Sequence, residues 1–392
     1  MRATGSQSGI LSVAVALGAL AAAMPLSAHH VLRAEFDEHK PVTLRGVVTR
    51  FQWNNPHAFL YVDVTDVSGK IANWAVEWAS PLDLRTSGWT RDSFKVGDTV
   101  TVEGWQAQDG SLLASGRTVK LATGSPLKEP PETELPSTRA HARPAPRWPD
   151  GHPRLGPVPG ESGYWANPSA SSLVDTAAGQ IRMDHNGLLA NLADADKVAP
   201  FKPWAKALYE YRQRTLLRDD PMLSCLPPAG PRMFQVAHGV QFLEQPERKR
   251  VFVMSGGGNR NWRLIYLDGR ALPQSEDVTP TYWGYSSGHW EGDTLVVESD
   301  AFNERFWFSS GGLPHTETLR LTEKFSRPDF DTLTYEVTVN DPGTYMRPWS
   351  SAWTLRWVAG QDIQEYFCQD NPKDEPHMGG PGAGQATERV HR

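Results

Sequence analysis

Apolar and polar residues alternate in short, turn-bounded runs along most of the chain, the period-two pattern of half-buried strands. Within 71–78, Ala72, Trp74, Val76 and Trp78 fall on one face. Leu333, Tyr335, Val337 and Val339 share a face further on, as do Trp353, Leu355 and Trp357. The same reading places strands at 42–51, 58–64, 99–105 and 118–121. It places others at 239–244, 251–255, 262–268, 282–290, 294–299, 318–325, 332–339, 351–358 and 362–368. Asn54-Asn55-Pro56, Gly97-Asp98, Asp109-Gly110, Asp268-Gly269 and Glu291-Gly292-Asp293 supply the turns between them. Helical signals are few. Ser80 as N-cap with Pro81 at the first position opens a short helix. Residues 202–217 carry Trp204, Leu208, Tyr211 and Leu216 at roughly helical spacing.

The expected fold class is mainly β, in two modules. Residues 29–124 read as three strands, a helix and two strands, the order of an OB-like small barrel. Residues 125–160 carry ten prolines and read as an extended linker. Residues 161–370 read as an antiparallel barrel or a curved sheet with a helical insertion at 170–220. A Gly- and Pro-rich tail over 371–392 reads as disordered.

The first 28 residues change the picture of where the protein works. Arg2, an apolar run over 10–24 and a small residue at Ala28 are the marks of a signal peptide cleaved near Ala28. The apolar run is shorter than the ~20 residues a membrane-spanning helix needs. A periplasmic or secreted location is therefore expected, with no membrane span. In an oxidising compartment the two cysteines, Cys225 and Cys368, are expected to pair. A net charge of -6 argues against a general nucleic-acid or anionic-membrane binder.

Several longer strings resemble known families. Ala28-His29-His30, Asn55-Pro56-His57-Ala58 and the run from Gly88 to Ser93 are similar to a family of secreted bacterial domains of unknown function. That family usually has Ser where Val31 stands here. The run from Gly288 to Val297 and the string Pro314-His315-Thr316-Glu317 resemble a second uncharacterised family of exported proteins. Both resemblances imply location and architecture, and neither implies an activity. Gly163-Tyr164-Trp165 also resembles the G-x-W start of lipocalin-type barrels. In those the Trp closes the barrel floor beneath an Arg from the last strands, and Arg356 is the candidate here.

Three functional readings follow. The first is a non-enzymatic binding or interaction protein. Its barrel would hold a small apolar or aromatic molecule, with Arg263, Tyr266, Trp290, His315 and Glu317 as lining residues, alongside Trp283, Tyr285, His289, Phe306 and Trp307. The second is copper binding or copper-dependent oxidation. After cleavage at Ala28 the amine and ring of His29 could chelate one ion, with His30 or His57 adding an imidazole, and nitrogen-rich sites favour Cu(II). The third is a hydrolase or isomerase using His315 and Glu317, two apart and on one face if they lie in a strand. No phosphate loop, nucleophile elbow or zinc-protease helix is present. The enzyme reading is the weaker one.

Overall fold

The computed structural model describes residues 35–54, 57–122, 127–128, 143–166, 173–179, 181–184, 187–236, 239–257, 261–273 and 277–363. The leader, His29, His30, Cys368, the expected tail and nearly all of 123–142 lie outside these residues.

The N-terminal strands are β1 (Phe36–Gln52), β2 (Ala58–Thr65) and β3 (Ile71–Trp78), then helix α1 (Pro81–Thr86), then β4 (Thr99–Ala107), β5 (Leu113–Leu121) and the two-residue β6 (Leu127–Lys128). They pair in the order β3-β2-β1-β4-β5-β6, and β5 also lies parallel beside β3. The first five strands thus close on themselves, as the OB-like reading expects. Closing so few strands requires sharp bending. β1 bulges between Val48 and Arg50. A Cβ on Gly46 would lie 2.1 Å from the Asp63 carbonyl oxygen, so β2 can approach only a glycine. Alternate residues of β1–β5, including Leu44, Val48, Leu60, Val62, Val76, Val100 and Val102, fill the core around Trp78 and Trp89.

The second body comprises β7 (Gly163–Ala166), helices α2 (Ala195–Val198) and α3 (Pro203–Arg214), and eight further strands. These are β8 (Val240–Gln245), β9 (Arg250–Ser255), β10 (Asn261–Tyr266), β11 (Tyr285–Glu291), β12 (Thr294–Asp300), β13 (Arg320–Ser326), β14 (Thr332–Asn340) and β15 (Trp349–Ala359). They form a closed nine-strand barrel in chain order, with β15 returning to β7. Every pairing is antiparallel except a short parallel contact of Ile265 and Tyr266 with Ser286 and Ser287. The barrel, not the open curved sheet, is the outcome. The strand expected at 362–368 does not form over 362–363, and its remainder lies outside the described residues.

Two expectations are corrected here. Helix α3 buries Ala205, Tyr209 and Gln213, while Trp204 and Tyr211 are exposed. The helix turns its polar Gln213 inward because that amide accepts from the Leu189 N–H and donates to the Gly187 and Gly311 carbonyls. Apolar spacing alone therefore named the wrong side. The second correction concerns 143–160, expected to be a free linker. It is a strap lying along the barrel. Arg147 pairs with Asp293, Trp148 donates to Glu244, and Leu155 is fully buried in the barrel core. Glu244 also accepts from the Leu155 and Gly156 N–H groups, so proline-rich backbone is satisfied by one carboxylate.

The segment between β7 and β8 closes the opposite end. Its residues 230–234 are all buried, and Phe234 touches Phe242 of β8, Phe325 of β13 and Tyr335 of β14. β8 stands across the wall from the paired β13 and β14, so Phe234 occupies the lumen itself. Among the described residues no helix is long and apolar enough to cross a membrane.

Candidate functional site

Arg263 projects from β10 into the lumen and is 2% exposed. Its Nη1 donates to Glu323 Oε1 at 2.9 Å and its Nη2 to Glu323 Oε2 at 2.5 Å. Nε and Nη2 also donate to the hydroxyls of Ser286 and Ser299, and the Tyr335 hydroxyl donates to Glu323. Burial disfavours the guanidinium charge, but the Glu323 carboxylate outweighs it and holds the pKa above its ordinary value. Burial and the same carboxylate push the Tyr335 hydroxyl well up. Five adjacent strands, β10 to β14, thus contribute one closed polar network. Each Arg263 side-chain nitrogen is engaged in this network, so the arginine is part of the buried core. Its partners could have been found in the sequence, because Glu323 stands at an inward position between Leu321 and Phe325.

Of the other expected lining residues, Phe306 joins the barrel core with Trp283 and Trp290 packed against that core, and the rest are dispersed. Tyr266 faces outward beneath Arg270, 3.6 Å from its ring centre. Trp290 stacks on His152 of the strap at 4.9 Å. His289 pairs with Glu291 on the outer surface. Trp307 lies under Arg212 in a separate small cluster. His315 is buried against Phe306 and Phe308, and its Nε2–H donates to the Asn303 carbonyl at 2.9 Å. Burial pulls its pKa down to about 4, so it is neutral at pH 7. Glu317 is exposed, in a turn and not in a strand. The shared strand face expected of these two residues does not form, because neither lies in a strand: His315 is buried and Glu317 sits exposed in the turn that follows.

The string that contains them is a staple. Asp341 accepts from the Thr316 N–H and from the hydroxyls of Thr316, Thr318 and Thr344. Burial alone would raise its pKa, but these hydrogen bonds outweigh burial and lower it. Tyr345 donates to the Pro314 carbonyl. The run from Gly288 to Val297 is equally structural, since Trp290 and Asp293 hold the strap.

The barrel floor contains the Trp–Arg arrangement foreseen from the G-x-W string, with a different arginine. Trp165 is fully buried and donates to the Leu155 carbonyl. Arg327, just past β13, lies 4.7 Å from its ring and 4.8 Å from that of Trp357. Arg356 instead reaches the Thr332 hydroxyl. Gly163 is required because Trp357 takes the place of a Cβ there, 2.0 Å away.

In the first module, His57 is 1% exposed, and its Nδ1 faces the buried Glu77 carboxylate. Among the described residues no group of three or more His, Cys, Asp or Glu could hold a metal ion. Cys225 closes a short helical turn with φ 60. Its expected partner, Cys368, lies outside the described residues.

The surface carries a feature the sequence reading missed. Outward positions on β13 and β14 are polar: Arg320, Thr322, Lys324 and Ser326, then Thr334, Glu336 and Thr338. On β8–β10 they include Leu243, Phe252, Met254, Trp262, Leu264 and Tyr266, with Gln241, Gln245 and Arg250 the polar members. Registers of Leu243 with Phe252, Phe252 with Leu264 and Met254 with Trp262 make them one contiguous patch. Trp262 is 55% exposed and Leu243 42%. The signal was present in 251–255 and 262–266, which are apolar on both faces of the strand and not on one.

Fold and surface together define a class: a two-barrel protein with a packed lumen and an apolar outer face on β8–β10. A family model described as a family of unknown function, DUF6152, matches residues 17–116, most of the first module. No curated protein and no solved structure matches the chain.

Proposed function

We propose that this is an exported interaction protein whose working surface is the outer face of β8–β10. Export rests on the leader-like pattern of the first 28 residues. The observation that carries the interaction reading is the contiguous outward placement of Leu243, Phe252, Trp262 and their apolar neighbours, against the polar outward positions of β13 and β14. Exposed apolar patches on otherwise polar proteins mark surfaces that are covered in use. The lumen and the His315 region serve stability. The test is a photo-crosslinking residue at position 262 in the full-length chain, with position 354 on β15 as control, irradiated in producing cells. A discrete product from 262 alone supports the reading. No product, or equal products from both, overturns it.

One observation favours a second reading, a small acceptor-bearing guest inside the barrel. Trp349, Trp353 and Trp357, on one face of β15, carry buried indole N–H groups with no acceptor among the described residues. A buried donor left unmatched costs about 1–3 kcal/mol. Native mass spectrometry of the purified full-length chain tests this reading. A co-purifying small molecule lost in Trp353→Phe supports it, and an adduct-free spectrum contradicts it.

A further inference from the structure

We propose that the outer face of β8–β10 docks on an anionic lipid surface. This rests on the interaction reading above and names its partner. The first argument is composition. Trp262 and Tyr266 are the aromatic types that settle at a membrane–water boundary, and Phe252, Leu243, Met254 and Leu264 complete an apolar bed. Phe252 and Trp262 hold each other edge to face at 5.6 Å.

The second argument is charge. Arg248, Lys249, Arg250 and Arg270 crowd one end of the face, against Glu247 and Asp268. Arg250 lies 5.0 Å from the ring of Phe252 and is held by the neutral amide of Gln245. Arg270 covers Tyr266 and shares its charge with Asp268. Cations stacked on the rim of an aromatic bed suit phosphate headgroups beside acyl chains. The whole-chain charge of -6 does not decide this, because salt screens charges beyond ~8–10 Å.

The third argument is shape and size. Three strands at ~4.8 Å spacing and six residues at ~3.3 Å rise span roughly 14 by 20 Å. A stable protein interface needs about 800 Å² on each side, and this face alone falls short. It is also the outer wall of a closed barrel. A lipid surface has no such area threshold and conforms to a convex patch. The barrel does not span the bilayer, because β13 and β14 present charged and hydroxyl side chains outward.

The test is co-sedimentation of the full-length chain with vesicles of phosphatidylethanolamine and phosphatidylglycerol, against vesicles of phosphatidylcholine alone. Binding is expected to the anionic vesicles and to weaken with salt. Phe252→Ser with Trp262→Ser should weaken it more than about tenfold. Arg250→Gln or Arg270→Gln should each weaken it roughly fivefold. These surface positions leave the core intact, which an unchanged unfolding midpoint confirms. No binding to either vesicle, or binding indifferent to the double variant, overturns the proposal. If vesicles fail while crosslinking at 262 yields a protein adduct, the lipid is the wrong partner and the face reading stands. If both fail, both readings fall.

Discussion

Arg327 lies against both Trp165 and Trp357, 4.7 and 4.8 Å from the centres of two rings that touch each other edge to face, and donates to the carbonyls of Arg154, Gly156 and Phe330. One guanidinium thus fastens strap, first strand and last strand at the barrel floor. It is desolvated there, and burial lowers its pKa to about 10. Arg327→Met is expected to destabilise the barrel by about 2–3 kcal/mol, because three carbonyls lose their donor. Arg327→Lys should recover little, since an ammonium cannot reproduce the planar fork. Denaturant unfolding of the three proteins checks this, and full recovery by Lys would show that charge alone suffices.

The lumen ion pair offers a cleaner separation of terms. Removing either Arg263 or Glu323 leaves the other buried and uncompensated, at a cost of about 3–5 kcal/mol. Replacing both, as Arg263→Met with Glu323→Leu, should cost far less than the sum of the single changes. A double-mutant cycle by chemical denaturation measures the difference. Additive losses would mean that the network around Ser286, Ser299 and Tyr335 holds the pair less tightly than its distances suggest.

His315 gives the fold a pH dependence. Its folded pKa, about 4, lies below the unfolded value of about 6.5. Above pH 6.5 both states are neutral there and stability is complete. As pH falls from 6.5 toward 4 the unfolded state takes up a proton that the native state refuses. Stability then drops by up to about 3 kcal/mol from this group. Unfolding free energies at pH 7 and 4.5 should show the loss, and His315→Gln should flatten it. An unchanged slope in the variant would place the titration elsewhere.

Cys225 and Cys368 are expected to be joined in the exported chain. By the chain-entropy model so long a loop contributes roughly 4–5 kcal/mol. Alkylation without reductant should leave both unlabelled, and labelling of both thiols would remove the bridge from the structure.

The strands were legible because period-two alternation follows directly from one wet and one dry face, as in Leu333, Tyr335, Val337 and Val339. The OB-like order was legible from the helix opened by Ser80 and Pro81, where the Leu84 N–H donates to the Ser80 carbonyl. The site was far less so. His315 and Glu317 were paired on the assumption of a strand, and neither lies in one. Arg356 was named because it lies in a late strand, and position in the chain cannot show which guanidinium crosses the floor; Arg327 does. The strap was read as free because proline content reports backbone shape, whereas its anchoring depends on Glu244 and Asp293, far along the chain.

The outer face of β8–β10 is the surface on which the functional reading stands, and its coverage can be measured in place. Hydroxyl-radical footprinting of Met254 and Trp262 should be compared between the purified chain and the chain in intact producing cells. The expected result is fast oxidation when purified and strong protection in cells, with the exposed Trp204 of α3 unchanged between the two. Equal oxidation of Met254 and Trp262 in both settings would contradict it.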